Sequence, residues 1–154
     1  MTVILQLLTA IFIANFYEWF FHKYVLHMLG KRKNNYWNFH WHQHHRLSRK
    51  LFFKDPTYKN GIYGKELVSL GVLWVAHVPL LWTWPIVFWS LGVYGLIYVY
   101  VHRKAHVDTA WGKSWLPWHY DHHMGKDQEK NWCVVFPLFD WITCTRTRYE
   151  YPDS

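Results

Sequence analysis

Apolar residues fill two long stretches of this chain, and the charged positions that interrupt them fall at well-defined places. Residues 1–17 carry no charged side chain, and Glu18, the first, lies inside an apolar run over residues 3–21. Residues 67–102 form a second stretch, 36 residues without Asp, Glu, Lys or Arg. A helix that crosses a bilayer needs roughly 20 apolar residues, with about 17 as a working minimum. The first run therefore predicts one span over residues 2–28, projecting past the bilayer. The second predicts two short spans, 65–83 and 86–107, with a tight turn at Thr83, Trp84 and Pro85 and a kink at Pro79.

Between and after these runs the punctuation is polar. Gly30 followed by Lys31, Arg32, Lys33, Asn34 and Asn35 reads as a helix stop and a loop. A polar-aromatic helix over 36–48 and a loop over 55–64 follow. Beyond the third span, Trp111-Gly112 turns the chain, and Ser114 or Pro117 opens a short helix through Met124. Residues 132–142 are apolar but broken by Pro137 and Asp140. They predict a segment lying on or re-entering the interface, with Trp132, Phe136, Phe139 and Trp141 at headgroup level. The expected fold is all-α: a single domain over 1–154, an integral-membrane bundle of about three transmembrane helices with that segment as a fourth.

Composition narrows the function classes. With 12 Trp, 11 Tyr and 10 Phe in 154 residues, disorder is excluded, and two cysteines exclude a disulfide scaffold. So small a chain has too little interior to hide both uncharged runs in a soluble bundle. The first run lacks a basic start and a small-residue cleavage site, which predicts a retained anchor. Of the 17 Lys and Arg, ten fall between residues 23 and 65 and seven between 103 and 148. Three crossings put both basic segments on one side, which the positive-inside tendency makes cytoplasmic. The net charge of +7 is thus a topology and lipid-surface signal, with no nucleic-acid partner expected.

Histidine is the chemistry-bearing residue. Of 12 histidines, only His77 lies deep in a span; the rest fall in the basic segments or at their borders. They group as His22-x4-His27; His40, His42, His44 and His45; His102-x3-His106; and His119-x2-His122-His123. Helical residues three or four apart share a face, so His40 with His44, His102 with His106, and His119 with His122 and His123 each predict a convergent set. His22 and His27 stand about 140° apart on an α-helix, which suggests that they flank a site or bridge two metals. Neutral imidazole suits iron and zinc, and one zinc needs about four ligands. Ten candidates, His22, His27, His40, His44, His45, His102, His106, His119, His122 and His123, exceed that number and point to two metals. His40 is favoured over His42 as ligand, and His77 is read as a helix–helix contact. Glu18, Asp108 and Asp121 are candidates to orient metal-bound rings.

These motifs resemble the fatty acid hydroxylase and sterol desaturase superfamily of integral-membrane di-iron oxygenases. His102-x3-His106 is similar to the fatty acid 2-hydroxylases; the phrase His22-Lys-Tyr-Val-Leu-His27 after one span is similar to the bacterial beta-carotene hydroxylases. The resemblance implies two Fe ions, with Zn as a substitute in purified material, O2 as co-substrate, and a small cytoplasmic histidine-rich helical cap over the membrane bundle. It also implies hydroxylation of a lipid-like hydrophobic substrate, with electrons from a separate carrier such as a ferredoxin or cytochrome b5 with its reductase. Membrane lipids are the remaining expected partner, and a homo-oligomer is compatible with the pattern. Phe12, Phe16, Trp19, Phe20, Trp74 and Trp82 are candidate walls of a substrate channel. The alternatives are desaturation at the same centre or, in a different class, a divalent-metal transporter or sensor.

Overall fold

A computed structural model describes residues 2–151, and it is helical throughout, without a β-strand among those residues. Helix α1, Val3–Phe20, opens on Thr2, whose hydroxyl accepts from the Leu5 amide. It runs without a break into a π-helical segment, Phe21–Leu29, which stops at Gly30. A second π segment, His40–His45, leads into α2, Arg46–Lys50. A single 3-10 turn, Pro56–Lys59, follows, with Asp55 capping it and Pro56 in the first-turn position where a missing N–H costs nothing.

The long uncharged stretch divides into α3, Gly64–Ala76, α4, Leu80–Thr83, and α5, Pro85–Val107. Among the described residues two helices, against about three anticipated, are long and apolar enough to cross a membrane: Val3–Leu29 and Pro85–Val107. Most of each faces outward, with Ile4, Leu8, Val93 and Leu96 exposed. The first half of the second stretch falls short because Pro79 has no amide to continue the ladder, and the chain kinks at His77 before α4.

Three short helices follow among the described residues: α6, Thr109–Trp115, α7, Pro117–Met124, and α8, Leu138–Ile142. Asp108 ends α5 and caps α6 through the Trp111 amide. Helices α1 and α5 pack together, and the two small apolar cores lie on either side of the histidines. One holds Trp19, Trp132, Cys133 and Phe139; the other holds Phe53, Ala105, Leu116 and Val134. Trp132 therefore sits in the interior, at 1% exposure, rather than at headgroup level, and Phe139 is also buried. Phe136 and Trp141 do face outward.

The polar residues within α1 tie the C-terminal segment to it. The Glu18 carboxylate accepts from the amides of Val134 (2.6 Å) and Val135 (2.8 Å) and from the Tyr94 hydroxyl (2.8 Å). Asn15 accepts from the Phe139 amide (3.0 Å). Buried polar groups in an apolar helix are tolerated when paired in this way.

Candidate metal centre

All ten predicted imidazoles lie within the protein, none more than 3% exposed. They converge as two groups. In the first, His22, His27, His45 and His122 bring ring nitrogens within 4.8 Å of one another; in the second, His44, His102, His106 and His123 do so. His40 belongs with the first group, its Nε2 3.0 Å from that of His22 and 3.1 Å from that of His45. His119 belongs with the second, its Nε2 3.0 Å from that of His106. The groups abut where the His45 and His123 rings stack at 4.2 Å between centroids.

The local backbone decides this partition. An i→i+5 hydrogen-bond pattern brings residues five apart onto one face. In the first π segment that pattern unites His22 with His27, which an α-helix would splay. In the second it unites His40 with His45 and sends His44 to the other group, so the anticipated His40–His44 face does not form one set. On α-helical α5, His102 and His106 converge four apart as expected. On α7, His119 and His123 serve the second group and His122 the first, which corrects the convergent trio anticipated from their spacing.

Each group is locked from outside. Nδ1 of His22 lies 2.5 Å from the Trp132 carbonyl, Nδ1 of His122 2.6 Å from that of Lys130, and Nδ1 of His106 2.7 Å from that of Phe53. Carboxylates take three more: Asp55 holds His44 (2.9 Å), Glu66 holds His102 (3.0 Å) and Glu129 holds His27 (3.3 Å). Gln128 lies 2.7 Å from Nδ1 of His45. A carbonyl or carboxylate only accepts, so these six Nδ1 atoms carry the proton and the corresponding Nε2 atoms present lone pairs inward. Left-handed backbone supplies two of the carbonyls' positions. Phe53 (φ 75°) turns its oxygen onto His106, and Asn131 (φ 59°), held by Arg146, sits between the two carbonyls that grip His122 and His22. Such strain in a bulky residue like Phe53 persists where the surroundings fix it.

The inward nitrogens fit a cation. His27 and His122 face each other Nε2 to Nε2 at 3.2 Å, lone pair against lone pair. The Nε2 atoms of His44 and His102 and both nitrogens of His123 are buried without any hydrogen-bond partner among the described residues. An unsatisfied buried acceptor costs about 1–3 kcal/mol, and a proton is no remedy here. Burial draws His40, His44, His45, His119 and His123 well below the usual imidazole range, and draws His122 down to about 4. Two groups of four buried imidazoles, each with ring nitrogens within 4.8 Å of one another, are consistent with two metal ions.

Several anticipated supporting roles fall elsewhere. Glu18 holds backbone amides rather than an imidazole. Asp121 pairs with Arg146 (2.9 Å), and Asp108 caps α6 and pairs with Lys104 (3.0 Å). His42 lies outside both groups, against the Lys31 carbonyl, whereas His77 makes the helix–helix contact expected of it, joining α3 to α1 through Tyr17 (3.0 Å). The orienting residues Asp55, Glu66, Gln128 and Glu129 were not anticipated. Glu66, the last charge before the long uncharged stretch, carried the best available signal.

An apolar cavity of about 510 Å³ opens beside the first group. His22 and His40 are in its wall, with Glu66 and residues of α1, α3 and α5. Of the six aromatics proposed for a channel, Trp74 lines it, whereas Phe12 and Phe16 pack on Phe139 and Trp82 is 78% exposed. Tyr17, Phe21, Trp37 and Trp89 take their places. No family model, curated protein or solved structure matches this chain.

Proposed function

We propose that this chain is a membrane-embedded di-iron oxygenase that hydroxylates a long apolar substrate using O2. The observation that carries the reading is the opening of an apolar cavity directly onto His22 and His40. A metal centre built for structure alone has no use for such an approach. His22, His27, His40, His45 and His122 would hold one metal, and His44, His102, His106, His119 and His123 the other. Iron bound there supplies O2 activation, chemistry that side chains lack.

The chain's own residues perform the rest. The carbonyls of Trp132, Lys130 and Phe53, with Asp55, Glu66 and Glu129, fix each ring's tautomer and orientation. Trp132, packed on His22, His27 and His122, keeps water from that side. The cavity excludes water from the other and sets which carbon approaches. Val3–Leu29 and Pro85–Val107 would anchor the chain as a multi-pass protein, with the histidines on the basic, cytoplasmic face where an external carrier delivers electrons. Transport fits less well, because the one deep imidazole, His77, is already engaged by Tyr17 and the Leu73 carbonyl.

The test is lipid and carotenoid profiling of cells with and without the protein, beside a His122→Ala control. An O2-dependent hydroxylated product absent from the control supports the reading. A new double bond in its place moves the assignment to desaturation, and metal flux with an unchanged profile refutes it.

A further inference from the structure

The cavity wall is apolar except at a few points, and nearly all of those are spoken for. The Tyr94 hydroxyl donates to Glu18 and accepts from the Asn15 side chain, and Glu18 accepts from the Val134 and Val135 amides. Glu66 holds Tyr58 (2.7 Å) and His102, Trp74 Nε1 donates to the Phe88 carbonyl (3.2 Å), and Ser69 donates to that of Lys65 (2.5 Å). Tyr17 and His77 differ. Nδ1 of His77 lies 2.7 Å from the Leu73 carbonyl, which only accepts, so Nδ1 carries the ring proton. Nε2 is then the acceptor, and the Tyr17 hydroxyl 3.0 Å away donates to it. That spends Tyr17's only proton and leaves its oxygen able to accept, with no donor against it among the described residues.

We infer that the Tyr17 oxygen, polarised by His77, is a subsite for a hydroxyl group on the substrate. The inference rests on the oxygenase reading for what fills the cavity, and it narrows that occupant to a long apolar alcohol. Tyr17 precedes His22 by five residues, about 7 Å of helix axis, and His77 follows Glu66 by eleven, about 16 Å. The recognised hydroxyl therefore lies well along the substrate from the carbon presented to the imidazoles. A hydrogen bond at this end fixes how far the chain enters, and so which carbon arrives. The subsite rejects a pure hydrocarbon only mildly, since a hydrocarbon leaves one half-buried acceptor dry.

The experiment uses metal-loaded protein in detergent and two probes of nearly equal shape, hexadecanol and heptadecane. Each displaces a brominated alkane whose presence in the cavity quenches tryptophan emission from Trp74 and Trp89. The readout is the ratio of alcohol to alkane affinity in wild type against Tyr17→Phe, so that partition into detergent cancels. Loss of one hydrogen bond lowers that ratio about five-fold in the variant. A ratio unchanged by the substitution overturns the inference, as does binding of neither probe. Metal content of the same samples separates the two readings. Two ions per chain with an unchanged ratio sink the hydroxyl subsite alone. Fewer than two ions with a Tyr17-dependent ratio sink the oxygenase reading and leave the subsite standing.

Discussion

Asp55→Asn tests whether the outer hydrogen bonds determine metal occupancy. The Asp55 carboxylate is fully buried and makes three bonds: Oδ2 accepts from Nδ1 of His44 (2.9 Å) and from the Tyr63 hydroxyl (3.0 Å), and Oδ1 from the Thr57 amide (2.9 Å). Asparagine keeps the shape and can keep the Thr57 cap through its oxygen. It then places an NH2 group where Oδ2 stood, facing the His44 N–H donor to donor. His44 relieves this by taking the other tautomer, with the proton on Nε2, and Nε2 ceases to be a ligand. Removing the group that orients a metal-bound imidazole weakens affinity about 10–100-fold, or about 1.4–2.7 kcal/mol. The loss is confined to the second group, because the outer bonds of His22, His27, His45 and His122 run to the Trp132 carbonyl, Glu129, Gln128 and the Lys130 carbonyl instead of Asp55. Titrating loaded protein with chelators of graded strength, and counting retained metal by mass spectrometry, reads this directly. Wild type should release both ions late; the variant should release one early and keep the other. Simultaneous loss of both, or no change, refutes the argument that His44 depends on Asp55.

Metal-free protein should lose stability in acid. Burial holds His122 at about 4 against 6.5 in the unfolded chain, so below 6.5 the unfolded state binds more protons and stability falls as pH drops. His122 alone removes about 3 kcal/mol across that window, and the other lowered imidazoles add to it. A thermal midpoint of chelator-treated protein that is the same near pH 5 as at neutrality would count against these rings being neutral when buried. Gly30→Ala should destabilise by about 1–3 kcal/mol, because a Cβ there collides with the Leu26 carbonyl and meets the Trp37 carbonyl at 2.9 Å. Gly71→Ala, with nothing within 4 Å, should be neutral or stabilise α3 slightly, and circular-dichroism melts distinguish the two.

How much was legible in the sequence follows from which signals are local. Uncharged runs report helix length composition by composition, so α1 and α5 could be read directly. The α3–α4 break was signalled by Pro79, but whether a proline kinks a span or divides it depends on neighbours that the sequence does not display. That the ten histidines would gather was legible, because their motifs fall together at the ends of the apolar runs. Their partition was not, since it depends on hydrogen-bond register within the helix, and spacing rules assume the α register. The orienting partners were hidden for a different reason. Three of them are backbone carbonyls, which have no sequence signature, and Asp55 meets His44 only after the 3-10 turn folds back.

The two π segments explain why so short a chain can shape two adjacent sites. An α-helix offers one face to one site at spacings of three and four, so consecutive residues diverge by about 100°. Within His40–His45 the wider turn aligns the first and last residues, and the penultimate one, His44, then points away into the neighbouring group. One segment of six residues thus serves both groups and fixes their separation, without a linker whose flexibility would blur it. The π register is rare because its hydrogen bonds are less favourable, and it tends to be retained at functional sites. Here it is held by contacts that do not require metal: the Gly30 amide closes onto the Val25 carbonyl (3.2 Å), and His22 is pinned by Trp132, 110 positions away. Long-range partners of this kind make the site a consequence of complete folding. On the proposed reading the imidazoles would be aimed before metal arrives, so that little of the binding free energy would go into ordering them.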